Sequence, residues 1–355
     1  MNSHSIPVSS HSTPISSSHT DFQSLPIVDI SGLYASDAAS RHAAAHLLGT
    51  AAREAGFLYV TGHGIDAALF RELRSIAQGY FAQDFDAKRR HYIGQSSNHS
   101  GYVPMGEEYL ASGSYDYKET FDLSYDYTGA SGRKPMLGPN QWPDFPQFQT
   151  VVSRYYQAAF AVGQALFRGF AMALGLAEDY FAAMVTTPPS QLRLIHYPYN
   201  PAIEDRPGIG AHTDYECFTI LYPTADGLEV MNGAGEWIDA PVIPGTLVVN
   251  IGDMMEILSN GQFVATSHRV RKVKEERYSF PLFCACDYDT LITPIPDLPA
   301  GRRTYTPLRC GDHLYAQTIQ TFSYLKDRLA RGEISLPEHA LALSSFGPKT
   351  DREEG

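Results

Sequence analysis

From residue 191 to residue 286 the chain reads as short apolar runs cut by turns. They are QLRLIHY (191–197), ECFTILY (216–222), GLEVMN (227–232), EWIDA (236–240), TLVVNIG (246–252), QFVATSHRV (262–270) and RYSFPLFCAC (277–286). Each is rich in β-branched and aromatic residues and bounded by Gly, Pro, Asn or Asp, which is the pattern of strands. Strands in this number must pair or hide their edges, and a β-sandwich or barrel does so. A mainly β core is therefore expected over residues 187–290.

Upstream the texture turns helical. LPIVDISGL (25–33) reads as a short strand, and residues 36–56 carry Ala and Leu at helical spacing with Ser36 or Asp37 able to cap. GFLYVTGHGI (56–65) is a strand running into a glycine-rich turn, and a second amphipathic helix is expected from about Asp66 to Phe81. Residues 94–146 are dense in Gly, Pro, Tyr and Asp and read as a long loop, which points to functional surface. A long helix from about Pro146 to Leu176 and a terminal helix from about Asp312 to Arg331 complete the plan.

Composition narrows the function. Thirty-nine acidic residues against 27 Lys and Arg give a net charge of −12, which argues against nucleic-acid or anionic-membrane partners, because both need a basic face. No apolar run reaches the roughly 18 residues needed to span a bilayer; the longest, from Ala159 to Leu176, is broken by Gln164 and Arg168. The first 20 residues, MNSHSIPVSSHSTPISSSHT, lack the charged and apolar regions of a secretory signal and read as a disordered tail over residues 1–24. Cys217, Cys284, Cys286 and Cys310 are too few and too irregularly spaced for a disulfide framework, so buried thiols in a reducing, cytoplasmic setting are expected.

The chemistry centres on Gly210-Ala-His212-Thr-Asp214-Tyr. In extended chain, side chains two apart share a face, so His212 and Asp214 could reach one metal ion. His268, in ATSHRV, fits as a third ligand. Two His and one carboxylate on one face leave the opposite positions open, which suits non-haem Fe(II). Arg277-Tyr-Ser279 follows at the start of an apolar strand, and a guanidinium fork beside a hydroxyl is a good carboxylate receptor. Arg269, Arg271, Lys272 and Lys274 nearby read instead as a solvated charge run.

With these motifs in place, the chain resembles the iron- and 2-oxoglutarate-dependent dioxygenases of the isopenicillin N synthase-like type. The resemblance runs from about Leu25 to Leu325 and rests on PIVDISGL, AREAGFLYVTGHGI, GIGAHTDYECFTIL, GTLVVNIGDMMEILSNGQFVATSHRV and RYSFPLFC. It implies an α+β protein with a mainly β core, a double-stranded β-helix (jelly roll) with N-terminal helical support and a C-terminal helix. The expected division is an N-terminal dioxygenase region at 25–145, supporting helices at 146–186, the jelly roll at 187–290, and a C-terminal helix and tail at 291–355. By the same resemblance His212, Asp214 and His268 would hold Fe(II), and Arg277 and Ser279 would grip the distal carboxylate of 2-oxoglutarate. Tyr197 would assist that carboxylate or would simply pack as a strand aromatic. Asn250 to Asp253 would form a structural turn, with Asp253 capping the helix after it. O2 and 2-oxoglutarate would be consumed, succinate and CO2 released, and a C–H bond of a small molecule oxidised by hydroxylation, desaturation or cyclisation.

By the same resemblance Ser100 to Tyr102, Gly106 to Glu108 and Tyr115 to Phe121 would form part of the substrate wall, and Tyr102 and Glu107 from this loop, Arg193 on the strand leading to Tyr197, and Phe283 beyond Ser279 are the candidate contacts. This mixture suits a small polar compound, amino-acid-like or phenolic, bound by a monomer. Other readings remain open. Arg-x-Ser and the tyrosine also occur in isopenicillin N synthase, which uses no 2-oxoglutarate, and the GEE loop with GIGAHTDYE is similar to ethylene-forming enzymes. A non-catalytic jelly roll and a zinc hydrolase are further alternatives, although no general-base Glu beside the metal is evident for the latter.

Overall fold

The computed structural model describes residues 20–108, 116–127, 129, 134–199, 201, 208–271, 274–299 and 304–337. The tail expected over residues 1–24 lies outside them up to residue 19, as do Tyr115 and Lys272.

In chain order the elements begin with β1 (Ile27–Asp29), α1 (Ala38–Glu54), β2 (Phe57–Thr61), α2 (Ala67–Phe81) and α3 (Phe85–Arg89). Next come β3 (Gly101–Val103), β4 (Glu119–Leu123), α4 (Phe148–Ala173), β5 (Gln191–Tyr197), β6 (Ile209–His212), β7 (Phe218–Pro223) and β8 (Leu228–Met231). Then follow β9 (Trp237–Asp239), β10 (Leu247–Ile251), α5 (Asp253–Leu258), β11 (His268–Val270), β12 (Arg277–Cys284), α6 (Cys310–Thr321) and α7 (Ser323–Ala330).

The strands form an eight-stranded sheet, β1-β2-β10-β7-β12-β5-β4-β3, and a four-stranded sheet, β6-β11-β8-β9. Every pair is antiparallel except β1 with β2. Phe57, Tyr59 and Val248 of the large sheet pack on Leu228 and Val230 of the small one, and Tyr197 packs on Val270. This is the jelly roll that the sequence implied.

Alternation along the strands of the large sheet assigns its two faces. On β12, Phe280 lies 6.4 Å from Tyr155 of α4, centroid to centroid, while Arg277, Ser279, Pro281 and Phe283 line the cavity between the sheets. On β5, Arg193, Ile195 and Tyr197 line the same cavity. The helices cover the outer face. Asp37 caps α1 by accepting from Ser40 N at 2.8 Å, and Asp66 caps α2 by accepting from Ala68 N at 2.8 Å. α1 buries Ala45, Leu48 and Ala52, and α4 stacks Phe167 and Phe170 against Phe218 of β7. Each such fully buried large side chain contributes about 1.5–3 kcal/mol relative to exposure.

Three expectations need correction. Residues 94–146 contain β3 and β4, which extend the large sheet at its β5 edge. They escaped notice because β3 is three residues long and β4 is buried throughout, so neither shows alternation. The terminal helix is two helices, broken where Phe322 adopts extended backbone (φ −92°, ψ 127°). The strand read over QFVATSHRV narrows to His268–Val270. Among the described residues, no helix is long and apolar enough to cross a membrane.

One glycine ties the helical half to the site. Gly56, between α1 and β2, has φ +62°, and a Cβ there would lie 2.0 Å from the Val264 carbonyl oxygen and 2.4 Å from Thr266 Oγ1. The close approach lets Thr266 Oγ1 donate to Ala55 O at 2.7 Å, which pins the segment leading into His268. Gly56→Ala combines positive-φ strain with a backbone clash. We expect a loss of about 2 kcal/mol or more, read as a thermal midpoint several degrees lower; an unchanged midpoint would show that this contact is not constraining.

Candidate active site

β6 and β11 are neighbours in the small sheet, and their register sets His212 directly opposite His268. Asp214, just past the end of β6, brings Oδ1 to 3.6 Å from His212 Nε2 and 3.5 Å from His268 Nε2. One donor atom from each of the three lies within 4.8 Å of the others.

The surroundings orient every donor. His212 Nδ1–H donates to Gly210 O at 2.8 Å and His268 Nδ1–H to Thr266 O at 3.2 Å. A carbonyl can only accept, so each Nδ1 carries the proton and each Nε2 presents a lone pair to the centre. Burial, with His212 alongside, pushes His268 down to about 4, which keeps the ring neutral. Asp214 Oδ2 accepts from the Thr219 hydroxyl and, at 2.6 Å, from Asn250 Nδ2, leaving Oδ1 toward the histidines. Burial alone would raise the Asp214 carboxyl, yet the two imidazoles and these hydrogen bonds hold it below its ordinary value. The start of α5 braces the loop, because Asp253 N donates to Asp214 O at 2.9 Å and Met254 N to Glu216 O at 3.2 Å. Asp253 does not cap that helix. It is the first helical residue, Gly252 holds the cap position, and the Asp253 carboxylate accepts from Thr213 Oγ1 at 3.1 Å.

Across the cavity, Arg277 and Tyr197 are register partners on β12 and β5, with the guanidinium 4.7 Å over the Tyr197 ring. Arg277 is only 1% exposed. Its Nε donates to Ala225 O at 3.1 Å, whereas buried Nη1 and buried Ser279 Oγ have no hydrogen-bond partner among the described residues. A buried cation and hydroxyl left unsatisfied cost free energy that an anion between them would recover. The three donors thus fit a metal ion, and the unsatisfied Arg277 Nη1 and Ser279 Oγ fit an anionic group such as a carboxylate.

The remaining wall is charged. Arg193 donates through Nη2 to Glu108 Oε1 at 2.6 Å and through Nε to Asp122 Oδ1 at 3.0 Å. Lys118 Nζ reaches Asp116 at 2.7 Å and Glu108 at 3.1 Å. Despite the burial that would raise it, Glu108 is held at about 2 by Arg193 and Lys118. Glu216 also lines the cavity; burial, then repulsion from Asp214, pushes its carboxyl up to about 8. Leu314, Thr318 and Thr321 of α6, followed by Phe322, close the far side.

The structure thus gathers His212, Asp214, His268, Arg277, Ser279, Tyr197, Arg193 and Phe283 around one cavity. It does not bring Tyr102 or Glu107 there. Tyr102 OH donates to Glu119 Oε2 at 2.5 Å on the helical side of the sheet, and Glu107 accepts from Tyr92 OH and Tyr324 N, both at 2.9 Å. Their substrate roles are corrected accordingly. Glu108, Asp116 and Lys118 fall within the stretches 106–108 and 115–121 expected at the substrate wall, although they were not singled out as contacts. Glu216 was missed, although it follows Asp214 at the same two-residue step that links His212 to Asp214.

Two family models match the chain. One is described as the N-terminal region of a non-haem dioxygenase in morphine synthesis, over residues 25–145, and the other as the 2OG-Fe(II) oxygenase superfamily, over residues 188–285. A homoarginine-6-hydroxylase of rice (Oryza sativa subsp. japonica) is 33% identical over 328 residues, covering 85% of this chain and 99% of the relative. A putative 2OG-Fe(II) oxygenase family protein from Caulobacter crescentus superposes with a TM-score of 0.73 at 29% identity, covering 87% of this chain and 99% of that one. A Neurospora crassa protein solved with alpha-KG and thymine gives 0.71 at 25% identity, covering 87% and 97%. With the family models at both ends of the catalytic region and the rice relative matched over nearly its whole length, the chain belongs to the 2-oxoglutarate- and Fe(II)-dependent oxygenases, oxidoreductases that take Fe(II) as cofactor and 2-oxoglutarate as cosubstrate.

Proposed function

We propose that His212, Asp214 and His268 hold the Fe(II), that Arg277 and Ser279 hold the distal carboxylate of 2-oxoglutarate, and that Tyr197 backs the guanidinium. The observation that carries this reading is the pair of unpartnered buried atoms, Arg277 Nη1 and Ser279 Oγ, on the strand that faces the three donors. When bound, the metal and cosubstrate supply the oxidising chemistry, in which O2 and 2-oxoglutarate give succinate and CO2 as a substrate C–H bond is oxidised. The protein's part is orientation. Gly210 and Thr266 carbonyls fix the ring tautomers, Thr219 and Asn250 fix the carboxylate, and the apolar strand faces exclude water.

The substrate in this reading is a small molecule, amino-acid-like in preference to phenolic, because Arg193, Lys118 and carboxylates stand on a wall otherwise lined by apolar side chains. The name of the rice relative, a hydroxylase of a basic amino acid, supports the same class. The chain is proposed to divide at 25–145, 146–186, 187–290 and 291–355, and to work as a cytoplasmic monomer. All the ligands and the anchor come from one chain, and the four cysteines are buried free thiols.

Anaerobic addition of Fe(II) and 2-oxoglutarate should produce the weak visible charge-transfer band of a chelated keto acid; its absence with iron bound would refute the cosubstrate site. His212→Ala should remove both the band and succinate formation. Arg277→Leu should weaken 2-oxoglutarate by roughly thirtyfold or more while iron stays bound, because it removes one partner of a buried charge pair. Asn250→Ala should loosen Fe(II) by roughly 10- to 100-fold, the usual effect of losing a group that orients a ligand, and equilibrium dialysis would measure it.

A further inference from the structure

We infer that Gln191 reads the substrate, its side-chain amide donating a hydrogen bond to an uncharged acceptor, a carbonyl oxygen, that the substrate carries. The inference rests on the proposed metal and cosubstrate sites and names the group by which their substrate is recognised.

Among the residues that line the cavity, three buried side-chain atoms have no hydrogen-bond partner within the described residues: Arg277 Nη1, Ser279 Oγ and Gln191 Nε2. The carboxylate of the cosubstrate accounts for the first two and leaves the third. A donor shut away from water without a partner costs free energy that a ligand bringing an acceptor recovers.

Strand register locates that ligand. β10, β7, β12 and β5 are consecutive in the large sheet. Asn250 lies opposite Thr219, Thr219 opposite Phe283, and Phe283 opposite Gln191, so these side chains form one row across the cavity face. At one end of the row, Asn250 and Thr219 hold the carboxylate of Asp214. Gln191 is the other end, two strand spacings or about 10 Å from Thr219. Ser279 stands four residues from Phe283 along β12, about 13 Å away. Gln191 is therefore level with the metal donors and clear of the cosubstrate anchor, within the span of a small molecule that reaches the metal.

The surroundings set the charge of the acceptor. Arg193, next after Gln191 on the cavity face of β5, is held by Glu108 and Asp122, and Lys118 is held by Glu108 and Asp116. Three carboxylates thus surround two cations, and an anion brought to Gln191 would meet net negative charge with both cations already engaged. A carbonyl oxygen meets no such penalty, and the Phe283 ring alongside gives its carbon skeleton an apolar surface. An analogue without the oxygen would leave Nε2 unpaired, and for that reason the contact discriminates as well as binds.

The test uses the full chain loaded anaerobically with Fe(II) and 2-oxoglutarate, and reads binding by isothermal titration calorimetry. Compounds are supplied with near-isosteres that lack the carbonyl: L-asparagine and its ketone analogue 4-oxo-L-norvaline with L-leucine, and L-glutamine with L-homoleucine. At least one carbonyl compound should bind about tenfold or more tighter than its hydrocarbon partner, because the partner leaves a buried donor unpaired. Gln191→Met keeps the length of the side chain, removes the donor and should collapse that ratio. Gln191→Glu, which can only accept unless protonated, should abolish the preference for the ketone, which can only accept as well. The ratio is internal to each variant, and the keto-acid band reports that the variant is folded, so a general loss of binding cannot imitate the result. If no carbonyl compound binds better than its partner, or if Gln191→Met leaves the ratio intact, the inference is overturned. If the keto-acid band fails to form in the unmodified protein, the underlying site assignment has failed instead.

Discussion

The antiparallel pairing of β6 with β11 is the constraint on which the rest of the structure depends. It places His212 opposite His268 across a narrow sheet, and Asp214 then needs only the turn after β6 to bring its carboxylate between the two rings. Everything around this pair restricts rotation: two backbone carbonyls set the imidazole tautomers, and Thr219 with Asn250 occupies the far carboxylate oxygen. The two imidazoles disfavour a second positive charge on each other while both favour the Asp214 carboxylate. Their geometry is imposed by the strands, and a cation is what makes it favourable.

The large sheet serves the site by being covered on both faces. α4 and α2 bury its outer residues, so its inner residues are free to be polar without losing the sheet. That division explains how Arg277, almost wholly buried, can stand on β12 beside Phe280 and Leu282. The apolar outer side chains stabilise the strand, while the alternate positions are left for chemistry.

The same two-faced burial limited what could be read in advance. Strand texture from residue 191 onward, the helix caps at Asp37 and Asp66, and the spacing of His212, Asp214, His268, Arg277 and Ser279 were legible because each depends on local pattern. β3 and β4 were not, since a short strand and a strand buried throughout show no alternation to detect. The choice between Glu107 and its neighbour Glu108 was equally hidden. Glu107 turns to Tyr92 and Tyr324, and Glu108 turns to Arg193 and Lys118, and that decision is made by partners far away in sequence.

By itself, then, the sequence determined the class of fold and singled out His212, Asp214, His268, Arg277 and Ser279 as candidates for the metal and carboxylate sites, because strand texture and the motifs that carry the family resemblance are local patterns. Tertiary structure alone decided which charged side chains meet at the cavity wall. Glu108, Asp116, Lys118, Arg193 and Glu216 line it from four separate stretches of chain, with Asp122 behind Arg193, and only the folded chain reveals that Glu108, Asp116, Asp122, Lys118 and Arg193 satisfy one another. Whether a buried charge is paired or available is a property of its neighbours in space, and local sequence holds no record of them.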